Sequence, residues 1–320
     1  MRLLASTRSV IALLSVVAVI LAGCSDGIRR PARTDAGPCQ ILSNGTPEPK
    51  APTPAKPSAP PTPPTPAKPS APPTPDLATN PEIGTGYRSD MTAVHTSTYA
   101  VATANPLATE AACKVLRDGG TAADALVTAQ AVLGLVEPQS SGIGGGGFLL
   151  YYDAVGNAVH AYDGRETAPA AATENYLRWV SETDRAVPKP DARASGRSIG
   201  VPGIVRLLDD VHRQFGKKAW RDLFDPAVSM ADRGFDVSPR LAAAIDNADA
   251  QLRLDAAAAG YFLNPDGSPK PVGTRMTNPA YAKTLGAIAS EGAKAFYAGD
   301  IARAVVASAT DTSGGARPAS

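Results

Sequence analysis

Residues 136–148 read Val136-Glu137-Pro138-Gln139-Ser140-Ser141-Gly142-Ile143-Gly144-Gly145-Gly146-Gly147-Phe148. The elements on either side of these glycines decide what kind of fold they serve. The run contains a literal G-x-G-x-x-G at Gly142, Gly144 and Gly147. A dinucleotide site needs a strand before such glycines and a helix after them. Here the order is reversed: an alanine-rich helical stretch precedes, an apolar strand-like stretch follows, and no Lys-Ser/Thr pair comes next. The run is therefore neither a dinucleotide fingerprint nor a phosphate loop. Five glycines among six residues still permit φ > 0 and close approach by another backbone or a ligand. The residues alone leave tight packing and a ligand wall equally open.

Working upstream, Thr121 with Asp124 three residues on is a short-armed relative of the capping box, opening a helix through about Gly134. Its apolar residues wrap most of its surface, which predicts a buried helix. Before it, Asn105-Pro106 reads as a cap with proline at the first helical position. That helix runs to about Asp118, with Ala108, Ala111, Ala112, Val115 and Leu116 on one face, and ends at Gly119-Gly120. Tyr99–Thr103 is a short β-like run.

Working downstream, Phe148–Tyr152 and Ala158–Tyr162 read as a hairpin turning at Gly156-Asn157. The first strand is apolar throughout, so both its faces are expected to be covered. Asp163-Gly164-Arg165-Glu166 lies where the second strand ends. Arg165 has the fork geometry to clamp a carboxylate; the plainer reading is a surface arginine paired with a nearby acid. Ile204, Leu207, Leu208, Val211 and Phe215 recur at helical spacing up to Gly216. Ser238-Pro239 and Asn278-Pro279 look like further helix starts, and Phe296, Ile301, Val305 and Val306 mark a last helical stretch. Helices, a hairpin, then many helices fit α/β or α+β layers.

The N-terminal quarter has a different character. Arg2 and Arg8 precede an apolar run, Val10–Ala22, too short to span a ~30 Å hydrocarbon core, so residues 1–23 read as a secretory signal peptide. Leu21-Ala22-Gly23-Cys24 resembles the bacterial lipobox, which makes Cys24 the expected lipidation site and places the protein outside the cell membrane on a lipid anchor. Arg29, Arg30 and Arg33 either rest on anionic headgroups or are simply solvated. Most of the 30 prolines fall before Pro81. PTPAKPSAPPTP occurs at Pro52–Pro63 and again, letter for letter, at Pro64–Pro75. Such a stretch has little to bury, and residues 24–90 are read as a disordered stalk. As polyproline II at ~3.1 Å per residue the doubled repeat would hold a domain roughly 75 Å away. Order is expected over 91–310 and a disordered end over 311–320.

A net charge of +1, from 31 basic and 30 acidic side chains, argues against a nucleic-acid partner. His95, His160 and His212 lack metal-ligand spacing, so no metal or cofactor is expected. Three cysteines are too few for a disulfide framework. Cys113, near the apolar face of its helix, reads as a small buried hydrophobe; pairing with Cys39 is the less favoured alternative, because Cys39 falls in the stalk. No G-x-S-x-G elbow supports a serine hydrolase triad.

Taken in order, several blocks resemble the γ-glutamyltransferase family. Gly119–Ala125 resembles its GGNAVDAA helix start, and Val136–Phe148 its VEPxSSGIGGGGF. Arg165-Glu166 with Ala168-Pro169 matches R-E-x-A-P, Gly200–Gly203 matches GVPG, Trp220–Leu241 follows its helical region, and Gly292–Ile301 resembles GAxAFYxG. The likeness covers about Tyr99–Ala309. Thr121-Ala122, and Ala104-Asn105-Pro106 in place of Ser-His-Pro, depart from the family pattern.

The resemblance implies part of an N-terminal-nucleophile hydrolase αββα sandwich, helix-rich in its second half. It implies transfer or hydrolysis of γ-glutamyl groups from glutathione and related donors, to an amino acid, dipeptide or water, through a γ-glutamyl-threonine intermediate. Arg165 matches the family arginine that binds the donor α-carboxylate, and Glu166 is expected to orient Arg165 or cap the local backbone. The glycine run then reads as close sheet packing. The threonine nucleophile belongs to a Thr-Thr-His-type block not found in these residues, so no catalytic residue is assigned and a small-subunit part of the same precursor is expected as partner. A related acylase of the same superfamily and an inactive lipoprotein binding module are the alternatives.

Overall fold

The computed structural model describes residue 39 and residues 95–189 and 195–310. The expected signal peptide, Cys24, the duplicated repeat and the end at 311–320 lie outside the described residues.

Helix α1 (Pro106–Arg117) starts as expected: the Asn105 side chain accepts the Leu107 N–H, proline takes the first turn, and Gly119 turns the chain out at φ 88°. Tyr99–Thr103 is not a strand. The Thr103 N–H donates to Thr109 Oγ1 of α1 at 3.2 Å, so the segment is tied to a helix rather than laddered to a neighbour.

Helix α2 (Ala122–Val136) is the centre of the structure, with Val127, Thr128, Ala131, Val132 and Leu135 all buried. Its capping box is closed, with Thr121 Oγ1 accepting the Asp124 N–H and Asp124 accepting the Thr121 N–H. Asp124 is wholly buried and also accepts the backbone N–H groups of Lys217 and Lys218 at 3.1 and 3.2 Å. One carboxylate thus offsets orphan donors at a helix start and in a loop far along the chain.

Strands β1 (Gly147–Asp153) and β2 (Ala158–Gly164) pair antiparallel, from Gly147 opposite Gly164 to Asp153 opposite Ala158. At the turn the Asp153 carboxylate accepts the Val155 and Gly156 N–H groups, and Asn157 takes φ 49°. Helix α3 (Ile204–Phe215) covers one face: Phe215 stacks on Tyr151 at 4.1 Å and meets His160 edge-on at 4.9 Å, and Tyr162 donates to Gln214 at 2.9 Å. The other face is open, contrary to the expectation that an all-apolar strand is covered twice. Phe148 is 73% and Leu150 74% exposed, with Tyr152 and Val159 beside them. Strand side chains alternate with period two, so a single helix can shield only Leu149, Tyr151, His160 and Tyr162.

The rest is helical: α4 (Asp225–Arg233), α5 (Pro239–Asn247), α6 (Asp249–Leu252), α7 (Ala256–Phe262), α8 (Pro279–Glu291), α9 (Lys294–Tyr297) and α10 (Gly299–Thr310). Ser238 and Asn278 cap α5 and α8 with their side chains, each before a first-turn proline. A two-residue pairing joins β3 (Phe235–Asp236) to β4 (Arg275–Met276). Leu241, Leu285, Ile288, Phe224 and Leu208 pack with α2 into one core. The Trp220 indole donates to the Ile288 carbonyl at 2.9 Å, and Thr128 donates to the Leu223 carbonyl at 2.8 Å, tying α8 and α2 to the turn between α3 and α4. The architecture is a mixed, helix-rich α/β layer.

Cys113 is not an isolated buried thiol. It is bonded to Cys39, with Cα atoms 5.5 Å apart. Cys113 is only partly buried, which leaves its sulfur within reach of a second chain segment.

Candidate functional site

The site is built where β2 ends. The Asp163 carboxylate accepts the Arg165 N–H at 3.0 Å, which turns the chain at Gly164 and aims Arg165 away from the sheet. Its side chain is 66% exposed, and Nε lies 3.4 Å from Glu166 Oε2. Arginine is therefore held on one side by a carboxylate, while the rest of the guanidinium fork faces outward.

Glu166 is the less exposed of the two. Its side chain is 28% exposed, and Oε2 is buried with no hydrogen-bond partner beyond the pairing with Arg165. A carboxylate in that position orients the cation in front of it and keeps a lone pair directed at its own neighbour.

Three glycine-bearing segments close around this corner. Gly146 lies against the Gly164 carbonyl, and a Cβ there would run into it and come within 2.8 Å of the Glu166 nitrogen. A Cβ on Gly200 would approach Glu166 Cβ to 2.8 Å, and one on Gly203 would strike the Gly164 carbonyl. The Gly145 carbonyl accepts the N–H groups of Gly203 and Ile204 at 3.0 and 3.1 Å, so the α3 start is capped by the glycine run rather than by a side chain. Thr167 and Val201 exchange backbone hydrogen bonds and extend the corner by one bridge.

This geometry decides much of what the residues left open. Gly145 and Gly146 serve close packing, whereas Gly144 has open space where a Cβ would go. None of the glycines in the run adopts positive φ, so the backbone freedom expected there is not what the structure uses. Cys24, the remaining predicted site residue, lies outside the described residues.

Two further residues brace the surroundings, and sequence reasoning passed over both roles. Glu137 is 1% exposed, accepts from Asn105 Nδ2 at 2.8 Å and Gln139 Nε2 at 2.6 Å, and pairs with Arg240 at 3.2 Å. It fixes the exit from α2, with its own carbonyl accepting the Ser140 and Ser141 N–H groups. Arg197 is buried and donates to the carbonyls of Tyr176, Trp179 and Val180, which gathers the loop that follows the Arg165 corner. An acidic residue flanked by valine and proline hints at burial; nothing in the local sequence identifies its partners.

A family model described as "Gamma-glutamyltranspeptidase" matches residues 108–317. The glutathione hydrolase proenzyme of Bacillus subtilis is 37% identical over 214 residues, which is 67% of this chain and 36% of that protein. The crystal structure of Helicobacter pylori γ-glutamyltranspeptidase superposes with a TM-score of 0.63 at 32% identity, over 67% of this chain and 60% of that one. A cephalosporin acylase from Bacillus halodurans superposes with a TM-score of 0.52 at 25% identity, over 63% and 37% of the two chains. The chain spans about a third of the length of the curated relatives it matches.

Proposed function

Because the chain belongs to the γ-glutamyltranspeptidase family, we propose that the whole protein transfers γ-glutamyl groups from glutathione or a related donor to water or an amino acid, and that this part holds the far end of the donor. The carrying observation is Arg165: an exposed guanidinium, held by Glu166, at a corner where three chain segments meet. A γ-glutamyl donor carries an α-carboxylate well away from the bond to be cut. Two parallel N–H···O bonds to that carboxylate fix the distance to the scissile carbonyl, and positioning of this kind lowers the barrier by removing orientational freedom in advance.

The threonine nucleophile, the ester it forms with the γ-glutamyl group, and the remaining substrate contacts are assigned to the part of the protein beyond these residues. The open face of the hairpin supports this. Phe148, Leu150, Tyr152 and Val159 form an apolar surface of the kind a second sheet layer covers. Export on a lipid at Cys24 belongs to the same proposal, and a Cys39–Cys113 bond is in keeping with an oxidising compartment.

The test is kinetic. In a protein completed with the small-subunit part, Arg165→Lys lowers kcat/KM for γ-glutamyl-p-nitroanilide at least tenfold, roughly 1.4 kcal/mol or more. Unchanged kinetics would remove Arg165 from the site. The acylase likeness favours one second reading, hydrolysis of amide side chains such as those of β-lactams. Profiling the completed protein on both substrate classes separates the two.

A further inference from the structure

Two of the three cysteines are joined across 74 positions of sequence. The bond between Cys39 and Cys113 closes residues 39–113 into a covalent ring, and that ring contains the whole duplicated repeat, Pro52–Pro75. Cys113 belongs to α1, one residue after the fully buried Ala112, so this end of the ring is fixed to the folded core.

The chain therefore has two covalent routes from its N-terminal segment to the core. From Cys24 through the disulfide there are fifteen residues to Cys39, which at ~3.6 Å per residue reach about 54 Å at most. From Cys24 along the backbone to His95 there are 71 residues, about 220 Å as polyproline II at ~3.1 Å each. A tether is limited by its shortest route. With the bond formed, the shortest covalent route bypasses the proline repeat.

We propose that the Cys39–Cys113 disulfide is a redox-operated strap that sets the reach of the domain from its N-terminal attachment. Formed, it imposes the short route; broken by a dithiol reductant, it releases the long one. The opening step is ordinary thiol–disulfide exchange. A thiolate of the reductant attacks one sulfur and expels the other cysteine as thiolate. The second thiol of the reductant then attacks the mixed disulfide. Two protein thiols and one cyclic disulfide result, with two electrons passing from the reductant to the protein. Closure is the reverse, with a disulfide oxidant as acceptor. The expectation of a repeat acting as a ~75 Å spacer then holds for the reduced protein alone. The ring does not depend on lipid at Cys24; only the identity of the surface from which reach is measured rests on that reading.

The test uses the full 320-residue chain, exported to an oxidising compartment, with a site-specific protease sequence inserted between Pro63 and Pro64. After cutting, the two pieces run as one species on a denaturing gel without reductant and as two with dithiothreitol. Cys39→Ser and Cys113→Ser each give two pieces without reductant. Separation of the unsubstituted chain without reductant overturns the proposal, as does a peptide map in which Cys39 and Cys113 are both alkylated before reduction. On membranes, cutting releases the domain only when dithiothreitol is added, and release by cutting alone also overturns it. A domain already soluble before cutting removes the lipid anchor instead, and the gel still decides the strap.

Discussion

Gly146 rests against the carbonyl of Gly164, with no room between them for a Cβ. That contact places the glycine run directly behind Arg165 and Glu166. Gly146→Ala has no free volume to enter and must push the two segments apart. Overpacking of this kind costs roughly 1–3 kcal/mol. The expected outcome is a lower thermal midpoint for Gly146→Ala and none for Gly144→Ala, which meets open space. Equal effects of the two would show that the corner is not closed by Gly146.

Glu137 is buried among Asn105, Gln139 and Arg240. Glu137→Gln keeps the volume but sets an amide N–H₂ against donors and leaves Arg240 without its anion. Arg240 is partly exposed and reaches water, so the loss is moderated to about 1–3 kcal/mol. A double-mutant cycle with Arg240→Met measures the pair directly: a coupling of at least about 0.5 kcal/mol is expected, and strict additivity would show that the pair does no work.

Leu150 and Leu285 test the two sides of the molecule. Leu150 stands on the open face of the hairpin, and Leu285 is fully buried. In the 320-residue chain, Leu150→Lys is expected to change stability by no more than about 0.5 kcal/mol, whereas Leu285→Ala costs about 2–5 kcal/mol. A large loss for Leu150→Lys would mean that something in this chain already covers that face. Assembly with the remainder of the protein reverses the ranking for Leu150 if a second sheet docks there.

Tyr281 is partly buried and donates its hydroxyl proton to the Ala131 carbonyl at 3.0 Å. Burial pushes its ionisation well above the ordinary value of 10.0. The folded state thus holds this proton more tightly than the unfolded chain does. The associated stability is complete below pH 10 and is lost progressively as the pH rises above it. Unfolding titrations between pH 9 and 12 are expected to show a falling midpoint, with a shallower slope in Tyr281→Phe. The variant itself loses about 1 kcal/mol at neutral pH through the missing hydrogen bond. An identical slope in both proteins would assign the alkaline loss elsewhere.

The helix starts at Asn105, Thr121, Ser238 and Asn278 were legible because a cap is a local device: a polar side chain, a nearby N–H and often a proline. The hairpin was legible from two short strand-like runs and the turn residues between them. The exposure of its outer face was not, because periodicity gives the two faces but not what covers each. Arg165 was offered by its place at a strand end and favoured over a plain surface pair by its family block; the glycines that build its corner come from residues 145–146, 164 and 200–203 and meet by tertiary packing. The Cys39–Cys113 bond was named only as the less favoured alternative for the same reason: spacing along a chain says nothing of a loop closed over 74 positions.

Asp124 joins the first turn of α2 to the backbone of Lys217 and Lys218, ninety-three and ninety-four residues later. In a polypeptide emerging from the ribosome, the central helix therefore begins with one end unfinished. Its buried anion acquires its full set of donors only after the hairpin and α3 have been synthesised and have folded back. Long-range closure of this sort raises contact order and slows the approach to the native state. The helix that organises the core is complete only once the segment after α3 is in place.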